Sequence, residues 1–294
     1  MSNSNKSGAN PNFDALGDRM KRYENISRIK LPRRIPVIIR VDGKAFHTFT
    51  RGLARPFDSI LMNSVQRTMQ KLCENIQGAK FAYCQSDEIS ILLTDYATIT
   101  TDAWFDYNVQ KMTSISASMA TSYFNKFFAE EIHKAIESST DPEAKAHLEA
   151  MAERNVGNAL FDSRAFSIPF DEVCNCFIWR QKDATRNSIE MVGRYHLGHS
   201  ALMNKTCNMI QDMLFTQKGI NWNDLPVDCK RGVSCYRVPR EEDMPDPRHP
   251  GQTVHVTRKS WIIDHDTPEF SKSRDFVEQW LEPMYRIHET GDVT

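Results

Sequence analysis

No run of apolar residues in this chain approaches the roughly 20 needed to cross a bilayer as a helix, so that route into a membrane is excluded. A dominant charge is missing too. The 37 Lys and Arg against 38 Asp and Glu leave a net charge of −1, which rules out a uniformly basic nucleic-acid coat but allows a local patch. Paired cysteines are scarce: the seven are odd in number, and Cys174 with Cys176 is the only close pair. No second pair stands at zinc-finger spacing, and His196 and His199 lack matching ligands nearby. Neither a disulfide framework nor a zinc site is expected. Internal repeats are absent, and low complexity is confined to the first dozen residues. Residues 1–12, rich in Ser, Asn and Gly, read as a disordered lead with neither a signal peptide nor a transit sequence. The expected location is cytoplasmic.

What is present is a 294-residue chain with the apolar content of a globular protein and enough length for a sizeable core. Residues 36–41 form a short β-branched run bounded by Pro36 and the Asp42-Gly43 turn, the pattern of a buried strand. From Phe57 to Ile76 the apolar residues Leu61, Val65, Met69, Leu72 and Ile76 recur at helical spacing, with Asp58 or Ser59 as N-cap. Two strands follow, 80–86 and 88–95, joined by the tight turn Ser86-Asp87-Glu88. A long helix is expected over about 104–129, then a charged helical excursion over 131–158, a strand over 161–169 and a helix through Trp179. The order is β-α-β-β-α-β, an α+β ferredoxin-like antiparallel sheet with helices on one face and the other face left for a ligand. Beyond it lie a helical stretch over 185–218 ending at Lys218-Gly219 and strands near 232–238 and 253–263. A Pro-rich connection, Pro239 to Pro250, separates those strands, and an amphipathic helix over about 271–285 closes the chain.

Two of these strands end in aspartate beside a turn. An Asp-Gly pair after a strand is ordinarily only a turn, because Asp bonds its own backbone and Gly tolerates positive φ. Asp87, however, interrupts an apolar strand pair, where a carboxylate is costly unless paired or bound to a metal. If the strands are neighbours, Asp42 and Asp87 converge at one sheet end. Two carboxylates there suit divalent cations and phosphoryl transfer. Adjacent strand residues face opposite ways, so Glu88 is assigned a supporting place in the catalytic site, pairing with a nearby cation. The turn Gly43 to His47 offers backbone N–H groups to a triphosphate, Ser86 a hydroxyl, and Lys111 on the long helix a phosphate clamp. Trp179-Arg180-Gln181-Lys182-Asp183-Ala184-Thr185-Arg186-Asn187-Ser188 interleaves cations with polar side chains, as phosphate recognition at an RNA end requires. Lys230-Arg231-Gly232 is a smaller basic element.

Taken in order, these segments resemble the tRNA-His guanylyltransferase family, enzymes that extend RNA in the 3′-to-5′ direction. The carriers are Arg40-Val41-Asp42-Gly43-Lys44-Ala45-Phe46-His47, Gln85-Ser86-Asp87-Glu88, Lys111 with Ala117-Ser118, Phe161-Asp162-Ser163-Arg164, Trp179-Arg180-Gln181 with Asp183, and Lys230-Arg231-Gly232. The resemblance implies a polymerase-palm sheet and two Mg²⁺ ions held by Asp42, Asp87 and the Gly43 carbonyl. It implies ATP and GTP or another NTP as substrates, with the triphosphate on the backbone of Lys44, Ala45, Phe46 and His47, helped by Ser86 and Lys111. tRNA would be the partner, its 5′ end met by Arg180, Arg186 and Asn187, and the assembly a homotetramer. On this reading the chain divides into the lead (1–12), a palm-like catalytic domain (13–184) and a C-terminal helical and two-stranded extension packed on it (185–294).

One departure bears on the reaction. Where enzymes that add guanosine to tRNA-His carry a His-Ile-Asn-Asn stretch, this chain has Thr185-Arg186-Asn187-Ser188, which looks like the bacterial and archaeal "-like" branch. That favours template-dependent repair of 5′-truncated tRNA through an adenylylated 5′ intermediate. The alternatives are a dedicated tRNA-His guanylyltransferase, a palm-fold nucleotide cyclase and a non-catalytic RNA-binding module. The Trp-Arg-Gln segment has no place in a cyclase, and a binding module has no need of both aspartates.

Overall fold

The computed structural model describes residues 15–98, 100–245 and 253–281. The chain begins with α1 (Ala15–Asn25), which buries no side chain, then β1 (Val37–Gly43) and the one-turn α2 (Phe46–Phe49). Helix α3 (Ser59–Asn75) starts where Asp58 accepts the Leu61 N–H at 2.9 Å, the N-cap its position predicts. Strands β2 (Ala79–Gln85) and β3 (Glu88–Leu93) form the expected hairpin. Helix α4 (Val109–Ser138), capped by Asn108, starts later and runs further than its periodicity suggests. A 3₁₀ turn, Trp104–Tyr107, occupies the start of the expected helix. Then come α5 (Pro142–Asn155), β4 (Phe161–Ser167), α6 (Val173–Leu197), α7 (Cys207–Lys218) and α8 (Val227–Arg231). The chain closes with β5 (Val233–Pro245), β6 (Thr253–Asp264) and the short α9 (Asp275–Glu278).

The six strands make one antiparallel sheet in the order β4-β1-β3-β2-β5-β6. Its first four strands have the ferredoxin-like arrangement, as expected. Alternation along β1 sends Val37, Ile39 and Val41 to one face, against Met69 and Leu72 of α3 and Phe124 and Phe128 of α4. Ile38 points the other way, joining Phe81, Tyr83 and Leu92. Because both faces are covered in the middle, β3 is buried along its whole length, Glu88 and Ser90 included.

The second face differs from expectation. Instead of lying open, it is covered over β2 and β3 by α6, where Phe177 packs edge-on against Phe81 at 5.0 Å, and by Phe270, Phe276 and Leu281. Among the described residues, the strip over the Asp42 end of β1 and β4 stays open, where the side chains of Asp162 and Arg164 are exposed. Helix α6 also runs unbroken through position 184, where the sequence reading sets its domain boundary. Nothing in that stretch breaks a helix: no Pro or Gly lies between Val173 and Val192.

Strand β5 continues through Pro239, which the sequence places in a connection. Its pairing with β2 ends at Tyr236, so beyond that point one edge is free and a missing N–H costs no ladder bond. The closing helix is confined to Asp275–Glu278 among the described residues, and residues 282–285 of the expected span lie outside them, as does the 1–12 lead. No helix among the described residues is long and apolar enough to cross a membrane.

Candidate active site

The end of β1 and the β2–β3 turn meet at one end of the sheet. Asp42 stands in register with Glu88 on one side and Asp162 on the other, while the Gly43 N–H donates to the Asp87 carbonyl oxygen at 3.2 Å. The backbone is strained on both sides of this meeting point. Ser86 holds φ at 50° and Ala45 at 56°, left-handed values that cost a non-glycine residue about 1–3 kcal/mol. Such strain persists only where surrounding structure fixes it. Here the anchor is Phe46, whose ring lies about 5 Å from those of Phe49, Phe124 and Phe161.

Gly43 is held between these parts. A Cβ there would lie 2.3 Å from the Phe46 ring and 2.7 Å from Asp87 Oδ2. The ring is locked in its aromatic cluster, so Asp87 would have to move. Gly43→Ala is therefore expected to keep the fold yet lose at least about 10-fold in turnover, since misplacing a reacting group by about 1 Å can cost 100-fold. Steady-state kinetics checks this, and an unchanged kcat would show that Asp87 tolerates displacement.

Electrostatically, the pair of aspartates is poised for a cation. Burial first, and the charge of Asp42 with it, push the Asp87 carboxyl up to about 6, against the opposing pull of the Ser86 hydroxyl, which donates to Asp87 Oδ1 at 3.0 Å. Two hard carboxylates and the Gly43 carbonyl fit Mg²⁺, whose remaining positions are ordinarily filled by water and phosphate. Among the described residues no cluster of three or more His, Cys, Asp or Glu side chains sits at metal-holding geometry, so protein donors beyond this pair must come from the backbone.

Glu88 pairs with a cation as expected, but its side differs from expectation: because Asp87 lies in the turn and not on the strand, Glu88 stands in register opposite Asp42 and shares that face. Its two oxygens accept from Arg180 Nε and Nη2 at 2.5 and 2.6 Å, in a buried bidentate pair. Burial nonetheless raises the Glu88 carboxyl, with Arg180 pulling it back. Arg180 also reaches Asp183 at 3.0 Å, and Asp183 in turn pairs with Arg186. This corrects the expectation for Arg180. Its guanidinium is spent inside the protein and is not presented to an RNA end, because a buried carboxylate needed a counter-ion. Arg186 and Asn187 are exposed on α6.

Lys111 is placed on the first turn of α4. It lies one turn past Asn108, near the sheet end that carries Asp95, with its ammonium 6.0 Å from the Phe105 ring. Thr121 is the α4 residue that reaches the Asp42 end, accepting the Phe161 N–H at 3.1 Å, and it sits about 15 Å further along the helix. Helix α4 passes the Asp42 end near its middle, so its first turn, with Lys111, lies to one side of the site. The phosphate cradle also narrows: the Lys44 N–H is already given to the Leu160 carbonyl at 2.8 Å, so Lys44 offers its exposed side chain.

A cavity of about 190 Å³ adjoins Ser86, and sequence reasoning missed it. Its walls include Phe57 ahead of α3, Leu61 and Met62 from the start of α3, Ala184 and Asn187 from α6, and Lys230 from α8. The segments meet only in three dimensions, and none of their motifs announces a shared cavity. Lys230 is buried, donating to the Asn223 carbonyl, and desolvation lowers its pKa. Gly232 lets the chain pass the Cys84 carbonyl, which a Cβ would approach to 2.3 Å. The Lys-Arg-Gly element is thus the corner that closes the cavity.

Residues 17–169, which carry both aspartates, match the tRNAHis guanylyltransferase family. The chain belongs to that family. A bacterial tRNA(His) guanylyltransferase-like protein solved with ATP is 43% identical, covering 92% of this chain and 100% of its own, at a TM-score of 0.75. A bacterial tRNA(His) guanylyltransferase-like protein solved with GTP is 44% identical over 91% of this chain and 99% of its own, at 0.69. A probable tRNA(His) guanylyltransferase of Dictyostelium discoideum is 24% identical, covering 83% of this chain and 91% of that protein. As a member of the tRNAHis guanylyltransferase family, this protein is a nucleotidyltransferase on a mixed α/β fold.

Proposed function

We propose that this protein is a template-directed 3′-to-5′ nucleotidyltransferase that repairs the 5′ end of truncated tRNA. The observation that carries the reading is Thr185-Arg186-Asn187-Ser188 on α6, with Asn187 on the wall of the cavity beside Ser86. A site that selects the incoming base by pairing with the opposite strand has no need of a stretch dedicated to one added guanosine. The higher identity to the bacterial -like proteins than to the Dictyostelium discoideum relative points the same way.

The reaction has two displacements. An oxygen of the RNA 5′-monophosphate attacks the α-phosphorus of ATP, the bond to the β-phosphate breaks, and pyrophosphate leaves an adenylylated 5′ end. The 3′-hydroxyl oxygen of an incoming NTP then attacks the 5′-phosphorus of the RNA, and AMP departs. Asp42 and Asp87, with the Gly43 carbonyl, would hold two Mg²⁺ ions. These supply positive charge that eases deprotonation of the attacking oxygen and steadies the leaving group. The protein's own part is positioning: the base enters the cavity beside Ser86 and the triphosphate lies along residues 44–47. The Glu88–Arg180 pair locks α6 to the sheet end, and Arg186 faces the RNA phosphates. Assembly as a homotetramer, active in the cytoplasm, belongs to the same proposal.

The test uses α-labelled ATP and a 5′-monophosphate tRNA lacking its first nucleotide. Label joined to the RNA as an adenylyl group supports the reading. A cyclic nucleotide would identify a cyclase, and absence of turnover a binding module.

A further inference from the structure

The open strip over β1 and β4 runs straight to the carboxylates. Along it, Arg40 stands directly opposite Arg164, and the next pair on the same face is Asp42 opposite Asp162. Two like charges in direct cross-strand register are destabilising unless something anionic lies between or over them. Among the described residues, Arg164 reaches the exposed Asp162 alone, loosely, at 3.5 Å, and the buried Nε of Arg40 has no hydrogen-bond partner.

Above the strip stands Trp179. It projects from α6 on the side away from the buried Phe177 and Gln181, and the residue is 53% exposed. The Arg180 guanidinium lies 4.5 Å from the ring centroid and that of Arg40 5.6 Å. These two cations hold the indole in place and leave much of it uncovered. A tryptophan recruited only for packing would be expected to bury most of its surface. Arg40 is two residues from Asp42, roughly 7 Å along the strand, a span that one nucleotide covers.

We propose that Trp179 is the stacking platform for the 5′-terminal base of the RNA, setting the reactive 5′-phosphate over Asp42 and Asp87. The inference rests on the reading of the protein as an RNA 5′-end enzyme and adds a positioning residue to it. Stacking tolerates any base, as a repair enzyme acting on varied 5′ ends requires, and the cationic strip below takes the backbone phosphates without reading sequence. The Arg180 that sequence assigns to the RNA thus acts indirectly, by pinning the platform.

The experiment measures affinity for a fluorescent 5′-truncated tRNA by anisotropy, for wild type, Trp179→Ala and Trp179→Phe. Trp179→Ala is expected to weaken RNA binding roughly 10-fold or more and Trp179→Phe to restore most of it, since base stacking is worth that much. A tRNA whose 5′-terminal residue is abasic supplies the readout that a merely structural role would not move. Wild type should lose the same factor on it, and Trp179→Ala should lose nothing further. ATP affinity should be unchanged in Trp179→Ala. RNA affinity within twofold of wild type in that variant overturns the platform, as does a drop confined to ATP, which would give the ring to the incoming nucleotide. Equal losses on intact and abasic RNA would also overturn it. Stacking on Trp179 without any nucleotide addition by wild type would uphold the platform and refute the repair reading.

Discussion

Asp42→Ala and Asp87→Ala are each expected to lower nucleotide addition by at least about 10²–10³-fold, the loss typical when one preorganised electrostatic partner is removed. The fold should survive, because both side chains sit at strand ends, outside the apolar clusters. A subtler variant separates cation binding from chemistry. The fold raises the Asp87 carboxyl from 3.8 to about 6, so it favours the neutral form. That contribution is fully present below the unfolded value and is lost as pH rises through about 6. Without divalent cations, Asp87→Asn should therefore raise Tm at pH 8 and leave it unchanged at pH 4. The rise should be a few degrees, since each kcal/mol is worth roughly 2–4 °C in a chain of this size. Added Mg²⁺ should stabilise wild type at pH 8 and do so progressively less below pH 6, whereas the Asn variant should respond weakly throughout. Turnover within tenfold of wild type for either Ala variant would remove the aspartates from the reaction.

Arg180→Ala should unfold the protein more readily rather than merely weaken its hold on RNA. Removing one partner of a buried bidentate pair leaves Glu88 charged and uncompensated, which costs about 3–5 kcal/mol. The denaturant midpoint should drop accordingly. Arg186→Ala, on an exposed side chain, should change stability by about 0.5 kcal/mol or less and weaken RNA binding with a shallower salt dependence. A wild-type midpoint for Arg180→Ala, together with lost RNA affinity, would return Arg180 to the RNA-binding role its sequence neighbourhood suggests.

The contrast between these two arginines shows what the sequence could carry. Strand periodicity and the turn residues placed Asp42 and Asp87 at one sheet end, because pairing and alternation are local rules. Alternation misjudged the side of Glu88, which shares the face of Asp42 because Asp87 belongs to the turn, although its pairing with a cation held. The identity of that cation was not legible, since Arg180 lies 92 residues away and one turn of α6 decides whether it faces the sheet or the solvent. The place of Lys111 was hidden for a related reason: periodicity shows that a helix exists, but how it crosses the sheet sets which of its turns meets the site. The coverage of the second face by α6 was hidden because Val173, Phe177 and Ala184 look like any helical stripe. The cavity beside Ser86 is assembled from separate stretches between Thr50 and Val233, and no local pattern announces it.

The central claim is that the opposing strand chooses the added nucleotide. Equal amounts of full-length tRNA-His and of a tRNA lacking its first 5′ nucleotide, both 5′-triphosphorylated to bypass activation, are offered with all four NTPs under single-turnover conditions. The account predicts faster addition to the truncated tRNA, of the Watson–Crick partner of the opposing base, with the choice following that base when it is changed. Faster addition of a non-templated guanosine to full-length tRNA-His would contradict it and place the protein with the dedicated maturation enzymes.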